Sequence, residues 1–191
     1  MDMKICIVAE GCYPYVVGGV SGWINSMIKS FPNIEFILLT IVANRSVRGK
    51  FVYELPENLT QVYELYLEDC EWEEGERERK VRKRFHLSKK ERTELTNLVM
   101  NRKIEWGVIF DLFQRKGVSV DDLLMGPDFF QIVRECYKRQ YANIVFSDFL
   151  WTMRSIYLPL FWTLKMKVPQ ADLYHCVATG YAGVLGSMAK H

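Results

Sequence analysis

Two adjacent glycines, Gly18 and Gly19, end a turn-rich stretch that starts at Gly11 and includes Pro14. An apolar, helix-spaced run follows at once from Val20. Backbone N–H groups at such a loop-to-helix junction are available to an anion. Glycines there let a phosphate or a sugar come close to the main chain. Ser21 adds a hydroxyl in the first helical turn. The chemistry this implies is binding. The five residues Gly18-Gly19-Val20-Ser21-Gly22 break the G-x-G-x-x-G spacing of dinucleotide loops, and no Gly-Lys-Ser/Thr follows as a Walker A loop requires. By residue type alone the stretch is either a ligand loop or a plain tight turn.

Other polar groups bracket this loop. Glu10 closes the apolar run before it and either accepts from a ligand's hydroxyls or holds the loop in place. His175 sits near the end of a second apolar run, Ala171 to Val177. Strand ends at the carboxyl edge of an α/β sheet are where ligands bind, so His175 either donates to a ligand or is satisfied inside the sheet. Tyr13 and Tyr15 can stack on a ring or simply pack the loop. Trp23 lies on the apolar face of the following helix and is expected in the core. His86 is expected to be exposed.

Much chemistry is excluded. The five cysteines, Cys6, Cys12, Cys70, Cys136 and Cys176, form no C-x-x-C pair, are odd in number and are irregularly spaced. No metal site, redox motif or disulfide framework is expected, and reduced, cytoplasmic thiols are the default. Met1-Asp2-Met3-Lys4 runs straight into an apolar strand without the regions of a signal peptide. A formal net charge of +2 over 191 residues does not call for a nucleic-acid partner. A charge run from Glu71 to Arg92 begins acidic and turns basic, and reads as a solvated face or as a surface for an acidic partner or lipid head group. The most apolar stretch, Phe149 to Leu164, is interrupted by Arg154 and Pro159 and is too short for a membrane span.

The elements that position these residues follow from periodicity. Lys4 to Ala9 is a short, β-branched apolar run, as in a central parallel strand. Val20, Trp23, Ile24, Met27, Ile28 and Phe31 fall on one helix face, stopped by Pro32 and Asn33. Glu35 to Val42 is a second strand, so the chain opens as a βαβ unit with parallel strands. Phe51 to Leu55 and Thr60 to Leu67 are expected as further strands about a Pro56–Asn58 turn. Ser88 and Glu91 have capping-box spacing ahead of a helix with Leu95, Leu98 and Val99. Gly126-Pro127-Asp128 opens a helix with Phe129, Ile132, Val133 and Cys136 on its apolar stripe. Ser147 and Asp148 are expected to cap a third helix, kinked at Pro159. Ala171 to Val177 is a buried strand, and Ala182 to Lys190 a helix rich in small residues.

The expected fold class is therefore α/β. It is a Rossmann-like, mostly parallel sheet with helices on both faces, one domain over residues 1–191 with a charged and helical insertion at about 69–164.

Glu10-Gly-x-Tyr-Pro-Tyr-Val-x-Gly-Gly-Val-Ser-x-Trp23 resembles the start of PelF-type glycosyltransferases, members of the retaining family 4. Tyr174-His-Cys-Val-Ala-Thr-Gly-Tyr-Ala-Gly183 is similar to the strand, loop and helix that those enzymes place at an interdomain cleft. Phe149 to Pro159 carries a weaker likeness, so the resemblance spans nearly the whole chain. It implies the N-terminal half of a GT-B enzyme that uses a UDP-sugar, UDP-glucose, as donor with no metal or other cofactor. The acceptor is a bacterial exopolysaccharide, and the partners are a C-terminal donor-binding domain and a membrane-associated export complex. The donor- or substrate-binding residues it implies are Glu10, Tyr13, Gly18, Gly19, Ser21, His175, Thr179 and Gly180, with His175 the only catalytic candidate. The cationic groups that stabilise a leaving diphosphate lie past His191 in those relatives, so this chain is expected to be inactive alone. Two other classes stay open: a non-catalytic glycan- or partner-binding module of an export complex, and a nucleotide-binding domain of another kind, which the broken fingerprint disfavours.

Overall fold

In the computed structural model, which describes residues 3–70 and 85–191, the apolar run after Met3 forms strand β1, Lys4–Glu10. Helix α1, Gly19–Ser30, leads to strand β2, Glu35–Val42. Strand β3 is Leu59–Tyr66. The chain returns much later as strand β4, Leu173–Cys176, and helix α7, Tyr181–Lys190. The four strands are all parallel, in the order β3-β2-β1-β4. The α/β class is thus as the periodicity indicated. The chain divides into two units, Met1–Glu71 with Met166–His191, and Trp72–Lys165.

Strand alternation decides which helix each side chain meets. Along β1, Ile5, Ile7 and Ala9 point to one face and Cys6, Val8 and Glu10 to the other. Ile7 and Ala9 are buried with Ile24 and Ile28 of α1 and with Phe36 and Leu38 of β2. Helix α1 therefore covers that face. In a parallel pair, partners share a face, and His175 pairs with Ile7 while Cys176 pairs with Val8. Cys176 lies against α7, close enough that a Cβ on Gly186 would meet its Sγ at 2.2 Å. Helix α7 thus covers the opposite face, and a side chain at position 186 would force the Cys176 sulfur aside. Asn58 ends α1 from outside, its amide donating to the carbonyls of Ile28 at 2.9 Å and Phe31 at 3.0 Å.

Three expectations for this unit are corrected. Phe51 to Leu55 is no strand: Val52 N–H donates to Pro14 O at 3.0 Å, and the rings of Phe51 and Tyr53 pack on Tyr15 and Tyr13. The segment's aromatic residues wrap the glycine-bearing loop and do not pair on the sheet. Strand β4 is half-buried, because it borders the sheet and pairs only with β1 among the described residues. Trp23 is 49% exposed. It faces that border strand, where little else covers it, while Ile24 and Ile28 take the core.

The second unit is helical: α2 Lys89–Val99, α3 Trp106–Gln114, α4 Val120–Leu124, α5 Pro127–Cys136 and α6 Phe146–Lys165. A π-helical turn, Tyr137–Tyr141, extends α5. The capping box at Ser88 and Glu91 forms as its spacing indicated, and Pro127 stands at the start of α5. Helices α3 and α4 were not singled out by spacing. Phe113, Phe129, Tyr157 and Phe161 pack at the centre in tilted and edge-to-face pairs, with centroids 5.2 to 6.4 Å apart. Helix α6 begins before Ser147 and Asp148, which lie in its first turn and do not cap it, and it runs on through Pro159. No helix among the described residues is long and apolar enough to cross a membrane. Most of the charge run, residues 71–84, lies outside the described residues. Of its remainder, Arg92 pairs with Asp128 at 3.3 Å, and the exposed His86 lies 3.6 Å from the same carboxylate.

Candidate functional site

The carboxyl edge of the sheet presents two helix N-termini, and they differ. Helix α1 starts from the bare pair Gly18–Gly19 with no side-chain cap and no acidic residue in its first turn. Its orphan N–H groups are the kind that bind an anion. A Cβ on either glycine would meet nothing within 4 Å. Neither glycine is therefore required by packing, and the main chain there is open. Gly18 is held at both ends, its N–H donating to Tyr53 Oη at 3.4 Å and its carbonyl accepting from Gly22 N–H at 2.8 Å.

The α7 terminus is already filled. Glu10 Oε2 accepts from Ala182 N–H at 3.2 Å. Its carboxylate packs so closely on Gly180 that a Cβ there would lie 2.8 Å from Oε2. Alternation explains the placement, since Glu10 follows Cys6 and Val8 on the α7 side of β1. The charge complements the α7 dipole, an interaction typically worth about 0.3–1 kcal/mol. The contact the structure shows for Glu10 is with the start of α7 and not with the Gly11–Gly19 loop.

Beside the α1 terminus, between α1 and the end of β4, lies an open groove of about 450 Å³, lined by Gly19, Val20, Trp23, His175, Cys176 and Val177. The His175 and Trp23 rings are 5.5 Å apart and tilted by 36°. Their proximity follows from the pairing of His175 with Ile7, which turns the imidazole toward α1. The lining contains no lysine, arginine or carboxylate. Burial pushes the Cys176 thiol up, against a smaller opposing effect from the Gly186 N–H. It is therefore held as a neutral thiol and is a poor nucleophile.

The sequence-derived site residues separate into groups. Gly18, Gly19, Thr179 and Gly180 are exposed, and His175 is half-buried in the groove. Tyr13 and Ser21, expected at the ligand face, are inside instead, at 0% and 1% exposure. The Tyr13 ring packs on Tyr53 with centroids 5.3 Å apart, and its hydroxyl donates to Asn25 Oδ1 at 3.4 Å. Burial, helped by nearby Tyr53, pushes the Tyr13 phenol up to about 12. Thr40 of β2 donates to the Tyr13 carbonyl at 3.2 Å and so anchors the loop to the sheet. Ser21 is drawn under α1 because the buried side of the helix includes its first turn. Two residues that sequence reasoning placed elsewhere belong to the site: Trp23, assigned to the core, and Tyr53, assigned to a strand. The aromatic run Tyr13, Tyr15, Phe51 and Tyr53 was the only signal that the two segments pack together. Among the described residues no group of His, Cys, Asp and Glu could hold a metal ion.

Neither a curated protein nor a solved structure matches the chain. A family described as a domain of unknown function, DUF3492, matches residues 3–191. With nearly its full length inside that match, the chain belongs to the DUF3492 family, a domain associated with glycosyltransferases.

Proposed function

We propose that this chain is the acceptor-side, N-terminal half of a retaining, sugar-nucleotide-dependent hexosyltransferase of the PelF type. In this reading it works in the cytoplasm, transfers glucose from UDP-glucose onto a bacterial exopolysaccharide, and depends on a second domain for most donor binding. The observation that carries it is the uncapped N-terminus of α1 at Gly18–Gly19, open beside a groove that contains His175. An uncapped terminus attracts a diphosphate, while the neighbouring groove has room for the sugar it carries. The groove itself carries no cation to stabilise a leaving diphosphate, which is why the reading gives this half no turnover of its own. The membership of a glycosyltransferase-associated family supports the same class. A non-catalytic glycan-binding module is the second reading, favoured by the half-exposed Trp23 beside the groove.

Titration of UDP-glucose into the labelled chain, followed by backbone amide spectra, tests the first reading. The expected result is weak binding that moves the amides of Gly18 to Val20 and is lost in Gly19→Val. Since a Cβ at Gly19 meets no neighbour, that variant is expected to fold normally. Motionless amides at Gly18 to Val20 with UDP-glucose in large excess would remove the loop from the donor site. Tight binding would overturn the assignment of the donor to another domain.

A further inference from the structure

We infer that the exposed face of Trp23 is a carbohydrate platform, on which the apolar face of an uncharged pyranose ring lies with its hydroxyls turned toward His175. The inference rests on the reading of the sheet's carboxyl edge as the ligand face, and it holds for a transferase acceptor and for a glycan-binding module alike.

Three observations lead to it. First, α1 buries Ile24 and Ile28 completely, yet leaves the indole of Trp23 49% exposed one residue away from that stripe. An aromatic ring is the largest apolar surface a side chain can offer, and its electron-rich face attracts the weakly positive C–H groups of a sugar ring. Secondly, Trp23 is not alone on a smooth surface. It forms one wall of the 450 Å³ groove, with His175 at 5.5 Å and tilted to it by 36°. That volume is within the range of about 300–1,000 Å³ typical of small-molecule sites. The imidazole supplies the polar group that an apolar platform needs to fix a ligand's orientation. Thirdly, no charged side chain lines the groove beside the indole. The strand–loop segment that leads on from His175 ends at Gly180, where the Glu10 carboxylate occupies the α7 terminus. A phosphate is thus kept from the α7 side and directed to the uncapped α1 terminus at Gly18–Gly19. The Trp23–His175 wall is left for the uncharged ring of a ligand.

A nucleobase also stacks on indole, but its polar groups lie in the ring plane, whereas a pyranose carries hydroxyls around its rim that can turn toward His175; uridine in the test separates the two.

The test follows the Trp23 indole N–H and the His175 ring protons by NMR in the labelled chain. The probes are cellotetraose, maltotetraose, chitotetraose, uridine and inorganic phosphate. The expected result is that at least one oligosaccharide shifts both Trp23 and His175, and that phosphate shifts neither. Trp23→Ala is expected to weaken that binding at least about tenfold, a usual consequence of deleting a stacking aromatic. Trp23→Phe keeps a smaller platform and is expected to retain part of the affinity, so a folding defect and a lost contact are told apart. The proposal is overturned if no oligosaccharide shifts Trp23, if uridine shifts it as strongly as the best sugar, or if Trp23→Ala binds as wild type. Shifts that depend on protein concentration alone would show that a second copy covers the ring, and would overturn it too. None of these outcomes bears on the Gly18–Val20 amides, whose response to UDP-glucose tests the glycine loop separately.

Discussion

Replacing Gly186 by alanine should destabilise the wild-type chain and stabilise the Cys176→Ala chain. The reason lies in two distances. A Cβ at position 186 would fall 2.2 Å from Cys176 Sγ but 3.9 Å from Cys176 Cβ. The first is far inside contact distance, so the sulfur must swing to another rotamer or α7 must lift from β4. Overpacking of this kind costs roughly 1–3 kcal/mol. Against it stands the helix preference for alanine over glycine, about 0.8–1.0 kcal/mol in a helix interior. The net in the wild-type background is a loss of about 1 kcal/mol. With Cys176→Ala the sulfur is gone and the new methyl meets its neighbour at an ordinary distance, so the alanine preference remains as a gain of about 1 kcal/mol. The coupling between the two positions is then about 2 kcal/mol, large for a pair of small side chains. At roughly 2–4 °C per kcal/mol for a chain of this size, the midpoint should fall by about 3 °C in one background and rise by about 3 °C in the other. Thermal unfolding by circular dichroism measures the midpoints, and hydrogen exchange at the α7 amides shows whether the change is local. Equal effects of Gly186→Ala in both backgrounds would refute the idea that the thiol is what sets the packing of α7 on β4.

Glu10→Gln keeps the shape and an acceptor at the α7 terminus but removes the charge, so a loss of about 0.3–1 kcal/mol is expected, with faster exchange at the Ala182 amide; unchanged exchange there would mean the contact at 3.2 Å contributes nothing. In the helical unit, burial pushes the Glu91 carboxyl up, but hydrogen bonds from Lys116 and Ser88 more than offset it and hold the group below its ordinary value. A depressed folded pKa means the stabilisation is complete above the unfolded value of about 4.3 and is lost as pH falls through the folded one. Urea unfolding at decreasing pH should therefore show an acid-side loss that Glu91→Gln flattens, and an unflattened profile would assign the loss to other carboxylates.

The opening βαβ unit was legible because two periods change cleanly along the chain. Ile5 to Ala9 is apolar throughout, as a strand covered on both faces must be, and Ile24 and Ile28 then recur at helical spacing. The capping box was legible for a similar reason, since Ser88 and Glu91 act within one turn. What escaped notice depends on contacts distant in sequence. Trp23 has the spacing of a core residue, but periodicity says only which way a side chain points. How much cover it meets depends on β4, some 150 residues later, pairing only with β1 among the described residues. Tyr53 looks like part of a strand until its ring is seen against Tyr13 and its hydroxyl against Gly18. The role of Glu10 needed the α7 terminus, 172 residues away. Helices α3 and α4 are short, with nine and five residues, and a stripe of apolar positions is hard to distinguish over so few turns.

Neighbouring positions on β1 serve opposite sides of the sheet, Ala9 toward α1 and Glu10 toward α7. Adding or deleting one residue within that strand would send the carboxylate to the wrong side, strip α7 of its counter-charge and place an acid among the apolar side chains beneath α1. Variation in length should accordingly be tolerated in the turns between strands, while β1 keeps its residue count even where its side chains drift.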